Sequence, residues 1–143
     1  MSFKMVQWFN MSSCLPTIIS LSPSTILLIK DYPATPDKVN EIKKTLFCEV
    51  LSSLMWLQVA TRLDLVFSIN MFVCFAYNPG TVHWNALKHM LTHVKGTKYY
   101  GITYKGGNSL ELIGYIDSNY ASCKDTRWST EGNVFIVAGS PIS

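Results

Sequence analysis

Charge is what this sequence has least of. Of its 143 residues only 15% are charged, twelve Lys and Arg against nine Asp and Glu, while 48% are hydrophobic. That balance excludes a disordered chain and a long acidic or basic tail, and it leaves one ordinary domain or two small halves able to bury a core. No C-x-x-C pair joins the four cysteines, Cys14, Cys48, Cys74 and Cys123. Lacking a regular spacing, they read as reduced, mostly buried thiols of an intracellular chain rather than as disulfides or zinc ligands. Long apolar runs are missing too. Met5 to Ile29 is broken by Pro16 and Pro23, and Leu65 to Val82 contains Asn70, Asn78 and Pro79, so neither suits a membrane-spanning helix. No targeting signal is evident.

What is present is ordered along the chain. Residues 1–34 show no sustained period, and their Pro and Ser content suggests an irregular arm. Thr35-Pro36-Asp37 then places a capping hydroxyl, a proline at the first helical position and an early acid in a row. Val39, Ile42, Leu46, Val50, Leu54 and Leu57 follow at helical spacing, which predicts one apolar stripe. Thr61 and Asp64 resemble a capping box for a second helix reaching about Tyr77, where Asn78-Pro79-Gly80 stops it. A third helix over 81–95 puts His83, Leu87, Met90, Leu91 and Val94 on one face, with Gly96 as its C-cap. Three helices with short joints suggest a bundle. The period then changes: Tyr99 to Tyr104 is aromatic and β-branched, Lys105-Gly106-Gly107-Asn108 forms a turn, and Leu110 to Tyr120 and Gly132 to Ala138 read as strands. The expected fold class is α+β, with a partial antiparallel sheet after the helices.

Two features carry candidate chemistry. Between Leu65 and Leu110 there is no acid, while Lys88, Lys95, Lys98 and Lys105 fall there among Trp84, Tyr99, Tyr100 and Tyr104. Basic residues interleaved with aromatics are the footprint of a phosphate-backbone contact, and equally of a solvated helix face followed by core tyrosines. Asp117 sits in the apolar stretch Leu112-Ile113-Gly114-Tyr115-Ile116-Asp117. Such a strand-borne carboxylate either helps to hold magnesium for phosphodiester chemistry, which needs further oxygen ligands, or ends a strand and bonds to the next loop. His89 and His93 have the i, i+4 spacing of a metal pair, but no acid or cysteine completes that face and they are expected to flank the apolar stripe.

Certain runs are recognisable. Leu57-Gln58-Val59-Ala60-Thr61-Arg62-Leu63-Asp64, Asn78-Pro79-Gly80 with His83-Trp84, Leu87-Lys88 and Lys95-Gly96-Thr97 resemble the end of the reverse transcriptase region in copia-type LTR retrotransposon polyproteins. Tyr100 to Tyr104, Ile113 to Ala121 and Asp125 to Gly132 resemble the start of the ribonuclease H domain that follows it, and Cys14-Leu15-Pro16 resembles the family's Cys-Lys-Pro. The resemblance implies an irregular arm over 1–34, a thumb- or connection-like three-helix bundle over 35–97 that helps hold the primer–template, and a truncated ribonuclease H-like sheet over 98–143. By position Asp117 matches the first magnesium-binding carboxylate of that nuclease fold. The polymerase's Tyr-x-Asp-Asp motif does not occur. A fragment without catalysis of its own is therefore expected, with magnesium the parent family's cofactor but not well held here.

Departures from the family pattern have a direction. Leu46 and Leu63 stand where the resemblance implies proline, Cys48, Cys74 and Trp128 where it implies arginine, Ser52 for a glycine and Asn119 for an aspartate. Each is one C-to-T or G-to-A change, as cytosine deamination leaves in silenced repeats, so the expectation is a decayed genomic copy. Losing proline at 46 should let the first helix run unbroken from Pro36 to Val59. Two other roles remain: a module binding primer–template or RNA–DNA hybrid through Lys88, Lys95, Lys98 and Lys105, and a structural fragment that pairs with intact polyprotein or aggregates through unpaired strand edges. Neither a small-molecule substrate nor a membrane is expected as partner.

Overall fold

The computed structural model describes residues 2–22, 25–104, 111–121 and 123–142. It divides into two compact units, residues 1–100 and 101–143. The described residues form five α-helices, all in the first unit, and one three-stranded antiparallel sheet in the second, an α+β chain.

In the first unit the helices are α1 Ser2–Trp8, α2 Pro36–Lys43, α3 Phe47–Thr61, α4 Val66–Val73 and α5 Thr81–Gly96. The last follows the sequence pattern closely. Its buried face is His83, Leu87, Met90, Leu91, His93 and Val94, and it packs with Phe47, Val50, Leu51, Leu54 and Leu57 of α3 and Ile69 and Phe72 of α4 into one apolar core. Each such side chain, fully buried, contributes on the order of 1.5–3 kcal/mol of transfer free energy.

Several expectations are corrected. The first long helix breaks after Lys43, because Thr45 turns its backbone N–H and its hydroxyl onto the Ile42 carbonyl, at 2.9 and 2.6 Å, and Leu46 leaves helical geometry at φ −91°, ψ 40°. The Thr61 capping box does not form. Thr61 ends α3, a 3-10 turn Leu63–Leu65 leads into α4, and α4 stops at Val73 rather than near Tyr77. The arm contains α1, which buries Met5 and Val6 in the core, as well as a 3-10 turn at Ile29–Asp31. The cysteines are free but not buried: Cys48 and Cys74 are exposed, Cys14 and Cys123 half-buried.

Gly80 and Gly96 are required by close approach. A Cβ on Gly80 would strike the carbonyl of Asp31, and one on Gly96 the carbonyl of Thr17. Gly96 belongs to the last turn of α5, and Thr97 is the C-cap.

In the second unit β1 Leu112–Asn119 pairs with β2 Thr130–Val137, and β2 with β3 Ser140–Pro141. Ala138 and Gly139 make the two-residue turn between β2 and β3, both at positive φ, 53° and 76°, the handedness such tight hairpins need. Tyr99 to Tyr104, aromatic and β-branched in sequence, belong to no strand, although the Thr103 carbonyl accepts from the Ser140 hydroxyl and the Tyr104 hydroxyl donates to the Pro141 carbonyl, both at 2.8 Å. The expected turn at Lys105-Gly106-Gly107-Asn108 lies outside the described residues.

Candidate functional site

The most constructed polar site lies where α3 ends beside the end of α5. Arg62 is the C-cap of α3 and is 4% exposed. Its Nε donates to Asp64 Oδ1 at 2.8 Å and its Nη2 to Asp64 Oδ2 at 2.7 Å, a two-pronged pair. Nη2 also donates to the Thr97 hydroxyl at 2.7 Å, and that hydroxyl donates to the His93 carbonyl at 2.8 Å. His93 Nε2 lies 3.6 Å from Asp64 Oδ2. Burial pushes the Asp64 carboxyl up, but hydrogen bonds and charge from Arg62, with His93, outweigh it and hold Asp64 below the usual carboxylate range. Burial and the Arg62 charge together keep His93 below its ordinary value despite the attraction of Asp64.

This clamp was missed by sequence reasoning, which gave Asp64 a capping role. The signal was present as two separate runs, Thr61-Arg62-Leu63-Asp64 and Lys95-Gly96-Thr97. An arginine beside an aspartate at one joint, and a threonine just past a distant helix, identify a contact only when the fold brings them together.

The start of α5 is built similarly. His83 Nδ1 accepts the Gly80 N–H at 2.8 Å, closing the first turn, and its ring stacks on Phe75 at 4.2 Å between centroids. His83 is a core residue. His89 is half-buried, and the described residues contain no group of three His, Cys, Asp or Glu able to share a metal ion.

The sequence-derived lysines have diverse surroundings. Lys88 Nζ lies over the Trp84 ring, 5.6 Å from its centroid, and Lys98 Nζ over Tyr99 at 4.8 Å, both within cation–π range. Lys95 Nζ donates to the carbonyls of Ser12 and Cys14, at 2.6 Å each. Lys105 lies outside the described residues.

Asp117 is on β1, exposed, directly opposite Gly132. Alternation places Ile113, Tyr115 and Asn119 on its face of the sheet, with Thr130, Val134 and Ile136 from β2. None is an acid, and Glu131 faces the other way opposite Ser118. A hard cation such as magnesium takes six oxygens, and one carboxylate over a glycine does not fit that demand.

In this α+β chain the Arg62, Asp64 and Thr97 side chains knit two helix ends together. Its relatives are transposon polyproteins. It is 31% identical over 140 residues to the retrovirus-related Pol polyprotein from transposon TNT 1-94 of Nicotiana tabacum, covering 98% of this chain and 10% of that protein. It is 32% identical over 134 residues to the Pol polyprotein from transposon RE2 of Arabidopsis thaliana, covering 94% of this chain and 9% of that one. A Plasmopara viticola protein named secreted RxLR effector protein 161 is 31% identical over 102 residues, 71% of this chain and 72% of its own length. No family model and no solved structure matches. The chain belongs to the family of retrovirus-related Pol polyproteins of transposons, and it spans about a tenth of their length.

Proposed function

We propose that this chain is the segment of a copia-type Pol polyprotein in which the helical end of the reverse transcriptase, residues 35–97, passes into the first strands of a ribonuclease H-like domain, residues 98–143, and that it acts as scaffold without catalysis of its own. One observation carries the reading: the motif residues shared with the family are occupied in holding the fold. Arg62, Asp64 and Thr97 clamp two helix ends, Lys95 fastens the arm, and Gly80 and Gly96 admit crossing backbone. Asp117 would be the first carboxylate of the nuclease set. A magnesium site there would draw its other oxygens from elsewhere in the polyprotein, so no reaction step is assigned to this chain.

A second reading has its own support. The 65–110 stretch has no acid, and two of its lysines stand over aromatic rings, with Tyr99 and Tyr100 largely exposed. That arrangement suits contact with the backbone and bases of a primer–template or RNA–DNA hybrid.

A single experiment addresses both. The chain is incubated with a labelled RNA–DNA hybrid and magnesium, and cleavage and retention are read together. No cleavage is expected. Cleavage that disappears in Asp117→Ala overturns the scaffold reading. Retention that weakens with salt and with Lys88→Ala and Lys98→Ala supports binding, and absent or salt-independent retention rejects it.

A further inference from the structure

Between α1 and the core residue Leu27 the chain crosses the outside of α5. From Ser12 to Ser20 no side chain is buried, and Leu15 and Ile18 are 85% and 74% exposed. The crossing is held by polar bonds. Lys95 Nζ grips the carbonyls of Ser12 and Cys14, the Thr17 N–H donates to the Thr92 carbonyl at 3.2 Å, the Thr17 and Thr92 hydroxyls share a 3.2 Å bond, and Ser20 and Ser68 share one at 3.0 Å. Gly96 lets the Thr17 carbonyl lie against the helix. Polar bonds of this kind are readily exchanged for water, so such a segment opens at far lower cost than the core beneath it.

We propose that residues 12–20 form an autoinhibitory strap that competes with nucleic-acid phosphate for Lys95. This rests on the nucleic-acid reading above and deepens it. Lys95 is seven residues after Lys88, two turns along the same face of α5, and Lys98 follows just past the helix end. Its charge is met by two neutral carbonyl oxygens and, among the described residues, by no carboxylate. A phosphate oxygen is the stronger acceptor for an ammonium, so a polyanion lying along Lys88 and Lys98 gains a third contact when the strap lifts. The strap thereby lowers affinity in the closed chain, and bound nucleic acid must by linkage favour its opening.

Gly96→Ala tests this directly. Gly96 does not have positive φ, so alanine fits the helix backbone, but its Cβ collides with the Thr17 carbonyl and must lift the strap. Binding of a labelled RNA–DNA hybrid is measured against salt for the wild type, Gly96→Ala and Gly96→Ala with Lys95→Ala. Gly96→Ala should bind roughly five- to tenfold more tightly near about 0.1 M salt, with a salt slope steeper by about one ion, and Lys95→Ala should remove the gain. In the wild type, amide exchange at Thr17 should quicken when hybrid is added. If both chains bind alike, with equal slopes and unchanged strap exchange, the strap proposal falls while the nucleic-acid reading stands. If neither binds, the nucleic-acid reading falls and takes the proposal with it. Should Gly96→Ala lose its helical circular dichroism, the wild-type exchange result decides alone: quickening supports the strap and no change overturns it.

Discussion

At the residue scale the Arg62 clamp concentrates the chain's few charges where they matter most. Arg62 is nearly buried while Asp64 is half-exposed, so the pair keeps its two-pronged geometry without the full cost of desolvating both ions. The pKa directions give the clamp a pH dependence. His93 titrates in the folded chain below its ordinary 6.5, so the unfolded chain binds protons first as pH falls. Its contribution to stability is present above about pH 6.5 and is lost as pH falls through the folded value. Asp64 is held below 3.8, so its contribution is present above that pH and lost through its own lower value. Both act in the same direction. Urea unfolding measured from pH 8 downward should show stability declining below neutrality and again in strong acid, and His93→Gln should flatten the first decline. A chain that grew more stable between pH 7 and pH 5 would contradict this account. Of the positions at which the sequence differs from the pattern it resembles, Cys48, Ser52, Cys74, Asn119 and Trp128 are exposed, while Leu63 lies in the clamp turn between Arg62 and Asp64.

At the scale of elements, the joint between α3 and α4 offers a direct test of proline at position 63, where the resemblance implies one. Leu63 opens the 3-10 turn, its N–H donates to no group among the described residues, and Arg62 before it sits at φ −128°, ψ 66°, away from the helical region that proline disfavours in its predecessor. Leu63→Pro should therefore raise stability by about 0.4–1 kcal/mol, mainly by restricting the unfolded chain, as measured by urea or thermal unfolding. A loss of that size would mean the turn does not hold this geometry. The same elements show what was legible in the sequence. The third helix was legible to within a residue because the Asn78-Pro79-Gly80 stop before it, the Gly96 at its end and an apolar stripe over four turns agreed. The break before α3 was not, since Leu46 continues the stripe and the interruption comes from Thr45 bonding locally to Ile42, a competition hidden from periodicity. α1 escaped because seven residues are too few to establish a period, and its place is set by burial of Met5 and Val6 against helices far along the chain. The clamp was unreadable for a similar reason: Arg62 and Thr97 are 35 residues apart, and only packing makes them neighbours.

At the scale of the whole molecule, the high apolar content is divided unequally. Among the described residues, the sixteen buried side chains of the main core all belong to the first unit. In the second unit every residue of β1 is exposed, including Leu112, Ile113, Tyr115 and Ile116. Composition alone predicted material for a core but not where it would lie, since exposed and buried leucines count alike. A strand of eight residues with Asp117 as its lone charge, paired with β2 and with every residue exposed, has few of the charges and none of the prolines that normally protect such strands. Self-association should therefore begin at this hairpin. Ile116, 75% exposed, lies beyond the apolar core, so Ile116→Lys should lower concentration-dependent light scattering while leaving the main unfolding transition within about 0.5 kcal/mol of its original value. Unchanged scattering would instead place the association on the exposed Trp56, Val59 and Phe67 of the helical unit, and the hairpin's exposed residues would carry no penalty in solution.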